Sequence, residues 1–299
     1  MKIKDILKWG HQTLLLSSSS ARLDAEVLLS HILRQPVTFL LAHDETEIGW
    51  WKLWRYRRFI AKRKEGMPVA YLTGHKEFYF LDFEVNSSVL VPRPDTEILT
   101  EAAIDYINSR CHSERSEESP ENRQILRRFA PQNDIMLLDV GTGSGCIAIS
   151  ALKNIEGLTA IATDISRSAL RVAKRNAHRH GVADRIEFIH SDLLEKVLVE
   201  RLKKYDVVVT ANLPYVPKNF PVNPDTKFEP DSSLYGGLDG MDVYKRLMEQ
   251  LKTFQPRAIF LECFDFQKAI LVAHMPGYNL KHTQAMTGQA RMLFFELLP

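Results

Sequence analysis

Apolar residues recur every three or four positions through the first 72 residues of the chain, which is the period of an amphipathic helix. Ile3, Ile6 and Leu7 begin the pattern, and residues 24–33 and 50–64 repeat it. We therefore predict a small all-helical domain over residues 1–72. The third segment sets tryptophans against many arginines and lysines. We interpret its basic face as solvated, with contact to a polyanion as the alternative.

The period changes after residue 72. Residues 77–85 and 89–91 have the composition of two short strands, and Asn-Ser-Ser at 86–88 is typical of the turn between them. The segment Pro-Arg-Pro-Asp-Thr-Glu at 92–97 then carries the capping signals of a helix, which we predict over residues 98–107. These features indicate a β-hairpin linker over residues 73–97 that leads into a second domain, residues 98–299.

Residues 109–134 differ from the rest of the second domain. They are rich in Ser, Glu, Arg and Asn and have few apolar positions, so they cannot bury much surface. We predict that they form a flexible surface insertion, and we keep a basic recognition loop as the less favoured alternative.

From residue 135 onward, apolar runs of strand length alternate with amphipathic helices. Strand patterns occupy residues 135–140, 159–163, 185–190, 205–210 and 258–262, and helical patterns occupy residues 146–153, 166–180 and 241–252. Two last runs, 278–285 and 291–297, are expected to form an antiparallel edge. Such alternation predicts an α/β fold with a doubly wound, seven-stranded and mostly parallel sheet, similar to a Rossmann fold.

Composition narrows the class of protein without identifying a partner. The 39 basic and 37 acidic residues nearly cancel, so the net charge does not require nucleic acid as a partner. The three cysteines, Cys111, Cys146 and Cys263, indicate a reducing compartment and offer neither a disulfide framework nor a metal site. No secretory leader and no apolar stretch long enough to span a bilayer is recognisable, which favours a cytoplasmic protein.

A glycine-rich segment, Asp-Val-Gly-Thr-Gly-Ser-Gly at 139–145, ends the first strand and opens a helix. Glycines there let the backbone approach a ligand closely, although a tight strand–helix turn would use the same residues. Asp164 ends the second strand, where a carboxylate can accept both hydroxyls of a ribose. Asp192 and Leu193 follow the third strand and could receive an adenine. Helix capping is the alternative for both aspartates, but all three sites fall at the carboxyl ends of successive strands, where open α/β sheets bind ligands.

The tetrapeptide Asn212-Leu213-Pro214-Tyr215 follows the fourth strand and fits one chemical task. The Asn212 side-chain oxygen and the carbonyl of residue 213 can accept hydrogen bonds from an NH2 group, and the Tyr215 ring can stack on its plane. Pro214 stiffens the turn because its own φ is fixed. The pattern indicates a site for a planar, weakly nucleophilic nitrogen.

Taken together, these motifs resemble those of class I S-adenosylmethionine-dependent methyltransferases that act on planar nitrogens. Val-Pro-Arg-Pro-Asp-Thr-Glu at 91–97 and Gly-His-Lys-Glu-Phe-Tyr at 74–79 are similar to signatures of the release factor N5-glutamine methyltransferases. The resemblance covers nearly the whole chain except residues 109–134. The sequence departs from the family pattern at two places. Leu213 replaces the usual proline, and residues 262–265 replace a turn that contains glycine.

The resemblance implies a role for each motif. The methionine part of S-adenosylmethionine would contact Gly141, Thr142, Gly143, Ser144 and Gly145, with Asn212 beside them. Asp164 would hold the ribose, and Asp192 with Leu193 the adenine. Asn212, Pro214 and Tyr215 are the expected catalytic residues. The substrate amide would be held by Asn212, Leu213, Pro214 and Tyr215, with Phe78 and Arg93 closing the site from the linker.

The function implied is methylation of the N5 amide nitrogen of the glutamine in the Gly-Gly-Gln motif of peptide chain release factors. S-adenosylhomocysteine would be the product, with no metal and no covalent enzyme intermediate. The helical domain would recognise the release factor, and we expect a monomer with no membrane and no direct nucleic-acid partner. A nucleic-acid adenine or cytosine amino-methyltransferase is the alternative, and a non-catalytic binding module is a third possibility that the intact motifs disfavour.

Overall fold

The computed structural model of this chain describes residues 1–116, 135–222, 224–285 and 290–298. The chain divides into two compact units. The first contains Met1–His75 together with the short segments Val85–Ser87 and Pro221–Glu229. The second contains Lys76–Glu84, Ser88–Phe220 and Pro230–Pro299.

The first unit is helical, as the sequence predicts. Its helices are α1 (Ile3–Leu14), α2 (Ala21–Leu33), α3 (Val37–Ala42), α4 (Trp50–Lys64) and α5 (Val69–Thr73). Ile6, Leu28, Leu29 and Ile60 are fully buried between them, so the apolar stripes predicted from the 3.6-residue period do meet in one core. The short helices α3 and α5 were not predicted, because fewer than two turns leave too little periodicity to recognise.

A close helix contact in the first unit depends on Gly10 of α1. The Tyr56 ring of α4 is fully buried against α1, and its hydroxyl donates to the Ala25 carbonyl oxygen at 3.3 Å. A Cβ atom at position 10 would lie 2.1 Å from the Tyr56 hydroxyl oxygen. Only glycine therefore allows this ring to occupy its place.

We expect Gly10→Ala to lower the free energy of unfolding by about 1–3 kcal/mol, because the buried Tyr56 ring has no space into which it can move. Gly49→Ala is the matched control, since a Cβ at position 49 meets nothing within 4 Å. Chemical denaturation followed by circular dichroism measures both. Equal stability of the two variants would contradict the packing described.

A buried ion pair ties a distant segment to the first unit. Arg63 Nε donates to Asp24 at 2.6 Å, and Arg63 Nη1 donates to Asp225 at 2.7 Å. Asp225 lies in the 3-10 helix Pro224–Phe228, ten residues after Tyr215. The chain that follows the tetrapeptide thus contributes to the helical unit before it returns to the second unit at Pro230.

The strands and the turn of the hairpin lie at other residues than predicted. Its strands are β1 (His75–Phe78) and β2 (Leu81–Glu84), so the turn falls inside the predicted first strand, and residues 89–91 form no strand. Tyr79 and Phe80 make the turn with φ of 49° and 60°. The prediction of 77–85 as one strand was wrong because two-residue hairpin turns with positive φ normally carry Asn, Asp or Gly, and aromatic residues hide such a turn.

The second unit is built on a seven-stranded sheet of order β5-β4-β3-β6-β7-β9-β8. Neighbours from β5 to β7 are parallel, and β9 is antiparallel to both β7 and β8. The predicted doubly wound, mostly parallel sheet with an antiparallel edge is confirmed. Its strands are β3 (Ile135–Val140), β4 (Thr159–Asp164), β5 (Ile186–His190), β6 (Asp206–Ala211), β7 (Ala258–Phe264), β8 (Tyr278–Ala285) and β9 (Ala290–Leu297).

Both faces of the central strand are buried. Ile135 and Leu137 belong to one apolar cluster, whereas Met136, Leu138 and Val140 belong to another, which is the alternation of a strand covered on both sides. The helices of this unit are α6 (Pro94–Ser116), α7 (Cys146–Asn154), α8 (Arg167–Arg179), α9 (Val199–Leu202), α10 (Asp242–Leu251) and α11 (Lys268–Ala273).

Helix α6 changes the picture of the predicted insertion. It extends to Ser116 instead of ending at residue 107, so residues 109–116 are helical backbone and not part of a flexible loop. The rest of the predicted insertion, residues 117–134, lies outside the described residues. Within the described ranges, no helix has both the length and the apolar composition needed to cross a membrane.

Candidate functional site

Strand register brings the predicted motifs to one level of the sheet. Val140 at the end of β3 pairs with Thr163 of β4 on one side and with Ala211 of β6 on the other. The glycine-rich loop, Asp164 and Asn212 follow these three paired residues directly. They therefore leave the sheet side by side at its carboxyl edge, where the sequence predicted a ligand site.

The glycine-rich loop is held open by its backbone. Gly141, Gly143 and Gly145 have φ of 73°, 56° and 83°, which is the left-handed region that favours glycine. The Gly143 N–H donates to Asp164 Oδ2 at 2.9 Å. A Cβ at position 143 would meet nothing within 4 Å, so the middle of the loop faces open space. Ser144 is anchored from below, since its carbonyl accepts from the buried Asn176 amide at 2.9 Å.

Asp139 supports this loop from inside the protein. Its carboxylate is fully buried and accepts hydrogen bonds from the hydroxyls of Thr142 at 2.6 Å and Thr210 at 2.9 Å. Burial raises the pKa of Asp139 to about 6, although the two hydroxyl bonds act in the opposite direction. The pair of threonines therefore links the loop to strand β6 through one carboxyl group.

A pH dependence of stability follows from Asp139. Its pKa is higher in the folded state than the ordinary value of 3.8, so the folded protein binds the proton more tightly. We expect its contribution to the free energy of unfolding to be greatest below pH 3.8, to fall as the pH rises to about 6, and to be constant above that. The difference in denaturation midpoint between Asp139→Asn and the unchanged protein, measured across this window, should show this slope. A flat difference would contradict it.

Asp164 is placed by two backbone donors. Gly143 binds one carboxylate oxygen, and the Ser166 N–H donates to the other at 2.8 Å. Burial raises the pKa of Asp164, and the bonds from Ser166 and Gly143 lower it. The capping role belongs to Ser166, whose hydroxyl accepts from the Ala169 N–H at 3.1 Å at the start of α8. Asp164 is thus oriented at the sheet edge without capping that helix through its side chain.

Asp192 and Leu193 lie after β5, next to Asp164. The Ser191 N–H donates to the Asp164 carbonyl oxygen at 3.1 Å, which draws the two strand ends together. The Asp192 carboxylate accepts from Arg246 of α10 at 2.6 Å. Leu193 has φ of 50° and is 6% exposed. The predicted adenine residues therefore stand at the expected edge, with Asp192 in an ion pair that the sequence did not reveal.

A chain of hydrogen bonds runs through Asn212. Its Nδ2 donates to the Thr96 hydroxyl at 2.9 Å, and Thr96 donates to Glu262 Oε2 at 2.9 Å. The Tyr215 hydroxyl donates to the other Glu262 oxygen at 2.7 Å. Glu262 is 2% exposed at the end of β7, so one buried carboxylate holds both ends of the tetrapeptide.

The direction of these hydrogen bonds orients the amide of Asn212. An ionised Glu262 can only accept, so Thr96 gives its single proton to Glu262 and must accept from Asn212. The Asn212 nitrogen consequently faces Thr96, and its oxygen is left for a donor from outside this chain of bonds. Burial raises the pKa of Glu262, while the bonds from Tyr215 and Thr96 lower it. Burial and the nearby Glu262 charge raise the pKa of Tyr215 far above its usual range, so the phenol stays a neutral donor.

Backbone contacts fix the rest of the tetrapeptide. The buried Tyr244 hydroxyl donates to the Glu262 carbonyl oxygen at 2.6 Å, lies 3.2 Å from the Ala211 carbonyl oxygen, and accepts from the Leu213 N–H at 3.3 Å. Gln267 donates to the Tyr215 carbonyl oxygen at 2.7 Å. Leu213 is 4% exposed, and a Cβ at Gly141 would come within 2.7 Å of its side chain. The leucine that departs from the family pattern therefore packs directly beside the glycine loop.

The two residues expected from the linker side have different positions. Phe78 is 1% exposed and packs edge-on against Phe83 in the core, so its ring has no surface for a substrate. Its ring therefore packs in the core, and contact of Phe78 with a substrate stays a prediction. Arg93 is half-buried, and its charge helps to lower the pKa of Glu262. Arg93 therefore lies near the network of Asn212, and contact with a substrate stays a prediction.

Sequence reasoning missed four supporting residues, namely Thr96, Asn176, Tyr244 and Glu262. A usable signal existed for Glu262, because an acidic residue at the end of an otherwise apolar strand needs a partner. No cluster of His, Cys, Asp or Glu suited to a metal ion occurs in the part of the chain that the structure describes. Cys146 and Cys263 are buried free thiols, and the side chain of Cys111 lies outside the described residues.

Two family models match the sequence. The model of the PrmC N-terminal domain matches residues 5–74, and the model of ribosomal protein L11 methyltransferase (PrmA) matches residues 124–216. Among solved structures, the hMettl16 catalytic domain in complex with MAT2A 3′UTR hairpin 1 has a TM-score of 0.53 and 13% identity, covering 86% of this chain and 84% of that one. That likeness concerns the fold alone.

Curated relatives carry two names. A release factor glutamine methyltransferase of Clostridium acetobutylicum is 36% identical, with 84% of this chain and 81% of that protein covered. One of the same name from Bacillus anthracis is 32% identical, with 99% and 100% covered. A bifunctional methyltransferase of Rickettsia conorii is 34% identical over 93% of this chain but only 54% of its own length. The chain thus spans about half the length of the bifunctional relatives.

Proposed function

The chain belongs to the family of release factor glutamine methyltransferases, and on this premise we propose that it methylates the side-chain amide nitrogen of a glutamine in a peptide chain release factor. S-adenosylmethionine is the proposed methyl donor, and the glutamine of a Gly-Gly-Gln motif is the proposed target. The orientation of Asn212 by Thr96 and Glu262 is the observation that carries this proposal.

The residues at the sheet edge fit the proposed cofactor. The open face of the glycine loop leaves space for the methionine part, and Asp164 stands where its carboxylate can accept from ribose hydroxyls. Asp192 and Leu193 lie at the next strand end for the adenine. When bound, the cofactor supplies an electrophilic methyl group on a sulfonium.

Gly143→Ala tests the placement of the cofactor. We expect it to raise the dissociation constant for S-adenosylmethionine by about tenfold or more, which corresponds to about 1.4 kcal/mol, because the new methyl group enters the space above the loop. Gly181→Ala is the matched control, since position 181 also has positive φ and open space but lies at the end of α8. Calorimetric titration measures both variants. A similar loss of affinity at position 181 would refute the assignment.

The tetrapeptide suits an amide substrate because of what it can accept. An amide nitrogen is a weak nucleophile, since its lone pair is delocalised into the carbonyl. The Asn212 oxygen and the Leu213 carbonyl can accept its two N–H groups, fix its plane and stabilise the positive charge that grows on nitrogen during transfer. Glu262 is already bound by Thr96 and Tyr215, so we assign it an orienting role.

The remaining assignments extend the same proposal. We assign recognition of the release factor to the helical domain over residues 1–72, in line with the match of residues 5–74 to the PrmC N-terminal domain. The hairpin linker over residues 73–97 and the catalytic domain over 98–299 complete the division that we propose. A monomer acting in the cytoplasm, without a metal, is the proposed working form.

A transfer assay tests the function directly. The full chain is incubated with S-adenosylmethionine labelled in the methyl group and with a release factor, its Gly-Gly-Gln glutamine-to-alanine variant, or ribosomal RNA. We expect label only in the unchanged release factor, and tandem mass spectrometry should place one methyl group on the glutamine side chain. Label in RNA would instead support the amino-methyltransferase alternative, and label in the alanine variant would exclude the proposed target residue.

A further inference from the structure

Helix α4 presents a basic and aromatic surface that the proposed methyl transfer does not use. We define the α4 surface as Trp51, Trp54, Arg55, Arg58 and Lys62, all of which are exposed. The two indole rings stack with centroids 4.8 Å apart and an angle of 17° between their planes. The Arg58 guanidinium lies 4.8 Å from the Trp54 ring centroid. Two stacked rings and three cations therefore lie together on one ridge of the helix, the rings first and the cations after them.

The positive charge of this surface is not compensated locally. Between residues 50 and 64 the chain has seven lysines and arginines and no acidic residue. In the described parts of the chain, the cations of the α4 surface form no ion pair, and Arg63, which faces inward, is the member of the helix that pairs with carboxylates. Arginines on the second unit behave differently, as shown by Arg175 with Glu84, Arg179 with Asp82, Arg201 with Glu187, and Arg246 with Asp192.

A polar cavity adjoins the α4 surface. It has a volume of about 430 Å³ and is lined in part by Ser30, His31, Arg34, Gln35 and Arg55. Arg55 also lines a smaller groove of about 360 Å³ beside the two tryptophans, so the cavity and the groove meet at this residue. The cavity can therefore receive an anionic group that continues from a ring stacked in the groove. Its hydroxyl and amide groups can also pair with a sugar hydroxyl.

We propose that the α4 surface and this cavity bind single-stranded RNA. A base would extend the stack that Trp51 and Trp54 already form, and phosphates would contact Arg55, Arg58 and Lys62, in the way that aromatic platforms in basic grooves hold single strands. Ser30 and Gln35 would meet a ribose 2′-hydroxyl, the group that distinguishes RNA from DNA. The net charge of the whole chain is near zero and does not reveal this surface, because its cations are concentrated on one helix.

The arrangement fits RNA better than a lipid surface. A helix that lies on a membrane separates its apolar face from its cationic face. On α4 the exposed tryptophans share a ridge with Arg55, Arg58 and Lys62, so burying the rings in lipid would also bury the charges. A nucleic acid strand alternates flat bases with phosphates and matches both groups at once.

Fluorescence polarisation of a short, labelled single-stranded RNA of mixed sequence tests the proposal with the full chain and without any methyl transfer. Trp51→Ala combined with Trp54→Ala should weaken binding by at least about tenfold, because the base stacked on this pair of rings loses its platform. Arg55→Gln combined with Arg58→Gln should reduce the slope of log affinity against log salt by about 1.4, since each phosphate contact contributes about 0.7.

Matched variants and competitors make the result specific. Lys203→Gln combined with Lys252→Gln removes two exposed cations from the second unit and should leave RNA binding unchanged. Heparin should compete in both the unchanged protein and the tryptophan variant, because it carries charge but no bases. Equal RNA affinity of the tryptophan variant would overturn the proposal, as would equal affinity for DNA of the same sequence. Tighter binding to anionic phospholipid vesicles than to RNA would also overturn it. So would a result in which the tryptophan and arginine variants lose release factor binding but keep their affinity for RNA.

Discussion

Asn212→Ala is expected to lower kcat about 10²–10³-fold, the loss seen when one preorganised group that stabilises transition-state charge is removed. Thr96 and Glu262 hold the Asn212 amide so that its oxygen points away from their hydrogen bonds. Alanine removes that oxygen, so the substrate amide loses both its orientation and an acceptor for its developing charge. The affinity for S-adenosylmethionine should change by less than about threefold, because the glycine loop and Asp164 are untouched.

Single-turnover kinetics and calorimetric titration of the cofactor separate these two effects. Asn212→Asp is the informative companion, because a carboxylate cannot donate to Thr96 and so cannot be held in the same way. We expect its turnover to fall almost as far as that of the alanine variant. If Asn212→Ala kept normal turnover, or lost cofactor affinity in proportion to kcat, the assignment of Asn212 to the substrate amide would be wrong.

Glu262→Gln is expected to lower kcat about 10²-fold although it hardly changes the shape of the side chain, since a small misplacement in a catalytic site can have that effect. A glutamine can accept through one oxygen only, whereas Glu262 accepts from Thr96 and Tyr215 together. If its NH2 group faces Thr96, that hydroxyl must turn its proton toward Asn212 and the Asn212 amide must flip. If it faces Tyr215, the phenol loses its acceptor. In either case one end of the tetrapeptide, Asn212 or Tyr215, loses the hydrogen-bonding arrangement that holds it in the unchanged protein.

A double-mutant cycle shows whether Glu262 acts through Asn212. The double variant Asn212→Ala, Glu262→Gln should be no slower than Asn212→Ala alone, because residues that act as a unit are not additive. Thr96→Ser keeps the hydroxyl and should retain most of the activity, whereas Thr96→Val should resemble Glu262→Gln. Thermal unfolding controls for loss of the fold. Additive losses in the cycle would show that Glu262 acts separately, for example as a base.

The positions of the site motifs could be predicted because their signals are local. The apolar strand 206–211 and the tetrapeptide after it are contiguous in sequence, and so are strand 135–140 and the glycine loop. Parallel pairing then brings their carboxyl ends to one edge by rule. The position of the hairpin turn could not be predicted in this way. Tyr79 and Phe80 adopt a positive-φ turn conformation that aromatic residues rarely take.

The sequence by itself determined the fold class, the seven strands and the longer helices of the catalytic unit, and the motifs that lie at its carboxyl edge, whereas the short helices α9 and α11 were not predicted. These features follow from short-range periodicity and from the few backbone conformations that glycine and proline favour or forbid. The tertiary structure alone decided that Thr96 would donate a hydrogen bond to Glu262, 166 residues away, and that the two would orient Asn212. It also placed Phe78 in the core, and among the described residues it left the cations of the α4 surface without carboxylate partners. Such contacts depend on how whole elements pack, and no local preference of the chain encodes them.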